Sequence, residues 1–194
     1  VRSLVGSEMC IRDSHNIDYK KIGLEDYGKP GNYVARQVSR WSKQYRASET
    51  DDIEAMNNLI EWLPKNIPDD DETSIVHGDY RLDNMILKDN QVMGILDWEL
   101  STLGHPIADF SYHCLSWRTQ EAFWDQSKLK ELGIPNEREY MDMYCENTGK
   151  DLSKNWEFYM AFNMFKIAGI LQGILGRVRD CLLYTSPSPR DFVR

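Results

Sequence analysis

One short window of β-forming residues, 73–98, separates two long stretches whose apolar residues recur at helical spacing. That arrangement limits the chain to a mostly helical α+β fold. Before the window, Val34, Val38, Trp41 and Tyr45 predict a helix over 33–47, and Ile53, Met56, Ile60 and Leu63 another over 51–63. Asp51 and Asp52 suit the positive first turn of the second helix, and Pro64 ends it. Residues 15–32 read as a loop and the acidic run 64–72 as a solvated connection. Inside the window, residues 74–76, 85–87 and 92–96 predict three short strands, the last two joined at Asp89-Asn90 as a hairpin. After Pro106 the helical spacing returns over 106–117, 119–132, 135–148 (with Pro135 in its first turn) and 154–178. In the last of these, Glu157, Asn163, Lys166 and Gln172 interrupt the apolar run, so a buried core helix is expected rather than a membrane span.

Residues 1–14 and 181–194 look foreign to this pattern, because both resemble translated sequencing-adapter read-through. Fold and function are therefore expected in residues 15–180. The formal charge of −8 argues against nucleic acid or an anionic lipid surface as a partner. The four cysteines form no C-x-x-C pair, so neither a zinc site nor a disulfide scaffold is indicated.

The polar chemistry gathers where the short strands end. Asp79 follows His77-Gly78, and a glycine there permits a tight turn that presents the next side chain. Asn84 and Asp97 flank the predicted hairpin. A hard cation such as Mg²⁺ takes one or two protein oxygens and completes its shell with phosphate oxygens and water. Asn84 and Asp97 could supply those oxygens, leaving Asp79 to orient or deprotonate an attacking hydroxyl.

The segment H-G-D-Y-R-L-D-N (77–84) resembles the H-G-D-x-x-x-x-N catalytic loop of the aminoglycoside phosphotransferase family, a branch of the protein-kinase-like fold. I-L-D-W-E (95–99) is similar to that family's metal-binding segment, and G-H-P-I-A-D-F (104–110) to the G-D-P-x-x-D-L that follows it, with His105 in place of the usual aspartate. Three such segments in order carry far more weight than any one alone. Within the family, segments 36–50, 78–84 and 96–104 resemble the phosphotransferase domain of acyl-CoA dehydrogenase family members ten and eleven and their bacterial relatives.

The resemblance implies the C-terminal lobe of a kinase-like fold, with the hairpin insert carrying the catalytic loop. It implies Asp79 as the catalytic aspartate, Asn84 and Asp97 as Mg²⁺ ligands, and His77 and Asp109 as supports of the loop. ATP is the implied co-substrate and a small molecule, a hydroxyacyl-CoA, the implied acceptor. A fused or separate acyl-CoA dehydrogenase is the implied partner. Arg81 is a candidate contact to substrate or phosphate, and Glu99 a candidate neighbour of the metal. The bacterial cytoplasm is the expected compartment, with an organelle matrix as the alternative.

The family's N-terminal lobe carries a glycine-rich loop and a strand lysine, and neither occurs in these residues. The N-terminal lobe is therefore expected to be missing and the chain alone to be inactive. Two other readings stand beside this one. A pseudokinase-like binding module would lack catalysis altogether. A metal-dependent hydrolase would use His77, Asp79 and Asp97, but would want more ligands at metal spacing.

Overall fold

A computed structural model describes residues 7–89, 91–119 and 126–179. The chain divides into two compact units, one of residues 1–34 and 68–163, the other of residues 35–67 and 164–194.

The first unit holds two small antiparallel sheets. Strands β1 (Ser74–Val76) and β4 (Thr102–Gly104) pair with Ile75 opposite Leu103, and β2 (Met85–Lys88) and β3 (Gln91–Ile95) form the expected hairpin, with Met85 opposite Ile95 and a bulge after Ile86. Asp89 takes a positive φ of 51° at the hairpin turn, and Asn90 lies outside the described residues. Strand β4 was not expected from the sequence. It is three residues long, too short for alternation to show, and it exists through its pairing with the buried β1.

Helices α1 (Ser7–Asn16) and α4 (Pro106–Thr119) pack against β1, and α6 (Glu137–Thr148) packs against α1. Eight of the ten residues of α1 fall in the stretch set aside above, yet Ile11 is buried and Arg12 donates to the Asn147 side chain of α6. Ten of the fourteen residues of α4 are buried, which is why its apolar face is so broad. Its Phe110 stacks on Tyr144 with ring centroids 3.9 Å apart, and Tyr140, Trp117 and Trp156 close around the pair. Helix α6 begins two residues later than the expected start at Pro135. Asn136 is its N-cap, in a reciprocal capping box with Glu139. The predicted helix over 119–132 is described only from Gln126, as α5 (Gln126–Glu131).

The acidic run is more than a solvated connection. Asp71 accepts from the Asn32 backbone at 2.6 Å, Glu72 pairs with Lys150, and Asp70 lies 3.5 Å from buried His105.

The second unit contains most of α2 (Tyr33–Ser48), all of α3 (Glu54–Trp62) and the later part of α7 (Trp156–Arg179). Helix α3 starts at Glu54, because Ile53 is extended at φ −105° and serves as its N-cap. Helix α7 approaches α2 closely through Gly169, Gly173 and Gly176. A Cβ at those positions would stand 3.6, 3.6 and 3.4 Å from Trp41, Gln44 and Ser48. Gln172 fastens the same face by donating to the Ser48 carbonyl at 2.6 Å and to Thr50 at 2.8 Å. By length and composition α7 could cross a membrane, and half of its most apolar window is buried inside the protein.

Candidate active site

Asp109, in the first turn of α4, reaches back to the end of β1. Its Oδ2 accepts the His77 backbone N–H at 2.7 Å and its Oδ1 the Gly78 N–H at 2.8 Å. This clasp fixes the turn that leads into Asp79. Gly78 adopts φ +85°, and a Cβ there would come within 2.7 Å of the Leu100 carbonyl oxygen, so the turn requires glycine on both counts. The carboxyl of Asp109 is wholly buried. Burial alone would raise its pKa, but the His15 imidazole 3.3 Å away and the two backbone N–H groups outweigh it and hold the carboxyl below its ordinary value.

The imidazole of His77 ties the catalytic-loop segment to the next one. Its Nε2 donates to the Leu96 carbonyl at 2.9 Å, and its Nδ1 accepts the Asp79 N–H at 3.3 Å, a pair of bonds that selects one tautomer. Trp98 lies against the same ring at 4.7 Å and donates its indole N–H to Ile95. Trp98 is 38% exposed, whereas Trp117 and Trp156 are buried. The left-handed turn at Asp97 carries Trp98 outward to cover His77.

Both oxygens of Asp79 are engaged. Oδ1 accepts the Tyr112 hydroxyl at 2.7 Å, and Oδ2 accepts Asn84 Nδ2 at 3.2 Å. The same Nδ2 donates to the Asp79 carbonyl at 2.9 Å, which orients the amide and leaves Oδ1 as its outward atom. Arg81 stands 3.6 Å from Asp79 and 3.4 Å from Asp83, so its neighbours here are acidic. Burial and then the Asp79 carboxylate push the Tyr112 phenol well above its ordinary pKa, so the hydroxyl keeps its hydrogen.

The hairpin brings the remaining residues to one end. Leu96 N–H donates to the Asn84 carbonyl at 2.8 Å, one step beyond the Met85–Ile95 pair, so Asn84 and Asp97 emerge side by side from the same end of the ladder. Asp97 is exposed and holds φ 65°, ψ 53°. Such a conformation costs a non-glycine residue about 1 kcal/mol and concentrates at functional sites. Glu99 is exposed on the following turn.

His77, Asp79, Arg81, Asn84 and Asp109 are thus joined to one another and to the Leu96–Asp97 segment by named contacts. Among the described residues no three His, Cys, Asp or Glu side chains converge on a metal position. The pair Asn84 and Asp97, one amide oxygen and one carboxylate, nevertheless fits a hard cation that draws its other ligands from phosphate and water. Sequence reasoning missed Tyr112 and His15. Tyr112 stands one helical turn after Asp109 on the same face of α4, a spacing that could have found it. His105, the departure from the family pattern, is buried, stacks on Tyr159 at 5.0 Å and bonds its hydroxyl at 3.1 Å.

A helix-rich domain with this loop, hairpin and left-handed aspartate has the architecture of kinase-like phosphotransferases. The sequence profile of the phosphotransferase enzyme family matches residues 9–144, and the chain belongs to that family. It is 46% identical over 170 residues to mouse acyl-CoA dehydrogenase family member 10, covering 84% of this chain and 16% of that protein. It is 42% identical over 170 residues to human acyl-CoA dehydrogenase family member 11, covering 84% of this chain and 22% of that one. Among solved structures, a Ralstonia eutropha JMP134 protein provisionally designated an aminoglycoside phosphotransferase superposes with a TM-score of 0.87 at 49% identity, over 98% of this chain and 59% of that one. The macrolide 2′-phosphotransferase MphH of Brachybacterium faecium, at 14% identity and a TM-score of 0.60 over 97% of this chain and 61% of that one, shares the fold. The chain therefore spans about a fifth of the curated relatives' length.

Proposed function

We propose that this chain carries the catalytic-loop and metal-binding part of an ATP- and Mg²⁺-dependent phosphotransferase that phosphorylates a hydroxyl group, with a hydroxyacyl-CoA as the acceptor class. The observation that carries the reading is the joint placement of Asp79, Asn84 and Asp97 around one hairpin end. Family membership supports the reaction class, and the likeness to proteins named as acyl-CoA dehydrogenase family members supports the acceptor class.

When bound, Mg²⁺–ATP supplies the phosphoryl group and neutralises its charge. Asn84 and Asp97 are the residues that would hold the cation. Asp79 receives the proton of the acceptor hydroxyl as its oxygen bonds to phosphorus and the bond to the leaving diphosphate breaks. Tyr112 and Asn84 occupy one lone pair on each Asp79 oxygen, fixing the plane of the carboxylate while leaving it capacity to accept. The His77 and Asp109 contacts keep the loop from relaxing away from this geometry.

The 194 residues hold no glycine-rich phosphate loop and no strand lysine of the kinase kind, so turnover by this chain alone is expected to be negligible. The test joins the chain to the part of the Ralstonia protein that it does not cover and measures phosphoryl transfer from labelled ATP to a panel of hydroxyacyl-CoA thioesters. Transfer that disappears in Asp79→Asn and Asp97→Ala supports the reading. Transfer that survives Asp97→Ala overturns it.

A further inference from the structure

Helix α4 presents one more side chain to the catalytic loop, His113, to which the phosphotransferase reading gives no role. Asp109, Tyr112 and His113 stand at i, i+3 and i+4, on one face of the helix. Along that face they meet the loop in order. Asp109 accepts the N–H groups of His77 and Gly78, Tyr112 donates to the Asp79 carboxylate, and His113 Nδ1 lies 3.3 Å from the Tyr80 carbonyl oxygen. The Asp109 contacts fix the chain ahead of Asp79. The His113 contact fixes the peptide plane that follows Tyr80, so the hold on the main chain extends past Asp79 on both sides.

The same contact is continuous with the rest of the site. Tyr80 is buried, and its ring packs edge-on to both imidazoles, 5.0 Å from His113 and 5.8 Å from His77. His77 in turn lies against Trp98, the residue after Asp97. One row of rings thus runs from α4 to the turn that presents Asp97. The chemistry of the imidazole points the same way. A carbonyl oxygen only accepts, so Nδ1 carries the hydrogen and Nε2 is left as a lone pair. Among the described residues that buried Nε2 has no polar partner, and Tyr140 and Trp117 pack against the ring at 5.6 and 6.2 Å. Burial pushes the pKa down to about 4, so the ring is neutral near pH 7. An apolar side chain would fill this space without burying an unpaired nitrogen. What the imidazole adds is the bond to Tyr80.

We propose that His113 is a positioning residue of the phosphotransferase: its Nδ1–H holds the Tyr80 carbonyl and, through that stretch of backbone, keeps the Asp79 carboxylate directed at the acceptor hydroxyl. This rests on the reading of Asp79 as the group that receives the acceptor's proton.

The first measurement needs neither a variant nor activity. Long-range proton–nitrogen correlation spectra of the full chain near pH 7 report which ring nitrogen of His113 carries the hydrogen. Nδ1–H is expected, and Nε2–H overturns the proposal. The second measurement is kinetic, in the chain joined to the uncovered part of the Ralstonia protein. His113→Phe keeps a ring and removes the donor, whereas His113→Asn keeps an N–H close to the place of Nδ1. His113→Phe should lower kcat about tenfold and leave KM for ATP within about twofold, and His113→Asn should recover most of kcat. A parental kcat in His113→Phe overturns the proposal, as does an equal loss in both variants when each has a wild-type circular dichroism spectrum. The two readings fail differently. If the phosphotransferase reading is wrong, transfer survives Asp97→Ala. If only this proposal is wrong, transfer is lost in Asp97→Ala and unaffected by His113→Phe.

Discussion

The hydroxyl of Tyr112 donates to Oδ1 of Asp79 at 2.7 Å. One turn earlier on the same helix, Asp109 holds the backbone on the other side of Gly78. Helix α4 therefore grips the loop twice, through its main chain and through its candidate catalytic carboxylate. Tyr112→Phe removes only the second grip. In the chain completed as described above, kcat is expected to fall about tenfold to a hundredfold with KM for ATP nearly unchanged, the loss of one hydrogen bond to a charged group. An equal loss in KM and none in kcat would place Tyr112 in substrate binding instead.

Asp109 is expected to matter more for folding than for chemistry. Asp109→Ala leaves the His77 and Gly78 N–H groups without their acceptor in a buried place. Urea denaturation should show a loss of about 3 kcal/mol. A loss below about 1 kcal/mol would mean that the loop holds its shape without the clasp.

Gly78→Ala puts a Cβ at φ +85° and against the Leu100 carbonyl. The expected cost is about 2 kcal/mol or more in the same denaturation experiment. The Asp79 amide should shift in NMR spectra because its turn cannot keep this conformation. A stability within about 0.5 kcal/mol of the parent would contradict the strained-turn account.

Acid should destabilise this fold through His113 and His105. Burial lowers the pKa of His113 to about 4, against the opposing hydrogen bond to the Tyr80 carbonyl. The unfolded chain titrates near 6.5 and so binds more protons than the folded one between those values. Stability is therefore full above pH 6.5, falls as the pH drops towards 4, and loses no more from this group below it. His105 is lowered too, chiefly by burial and against the nearby Asp70, so it acts in the same direction. Asp109, whose folded pKa is depressed, adds a loss at still lower pH as its carboxyl protonates. Thermal unfolding from pH 7 to 4 should show the decline, and His113→Phe should flatten it by up to about 3 kcal/mol. An identical slope in that variant would assign the decline to other groups.

The site was legible where its chemistry is local. Asp79, Asn84 and Asp97 lie within one short window, and the hairpin between Met85 and Ile95 brings its ends together by register alone. Contacts that cross the fold were not legible in the same way. His15 reaches Asp109 from a helix whose first eight residues were set aside as foreign, and nothing in its neighbours marks it. Tyr112 carried a spacing signal that was overlooked. The exposure of Trp98 follows from the left-handed backbone at Asp97, a conformation that side-chain patterning does not encode. The acidic run reads as solvent-facing by composition, yet Asp71 and Glu72 meet Asn32 and Lys150 from distant segments. Helices α2, α3, α4, α6 and α7 were legible to within a few residues, α1 was not, and the starts of α3 and α6 depended on the caps Ile53 and Asn136.

The central claim is that Asn84 and Asp97 form one hard-cation site beside Asp79. It is tested most directly by titrating the chain with Mn²⁺ in the presence of ATP and mapping paramagnetic broadening of backbone amides. The account predicts broadening centred on residues 84 and 97, abolished by Asp97→Ala and retained in Glu99→Gln. Broadening that spreads along the acidic run 69–72 and survives Asp97→Ala would contradict it.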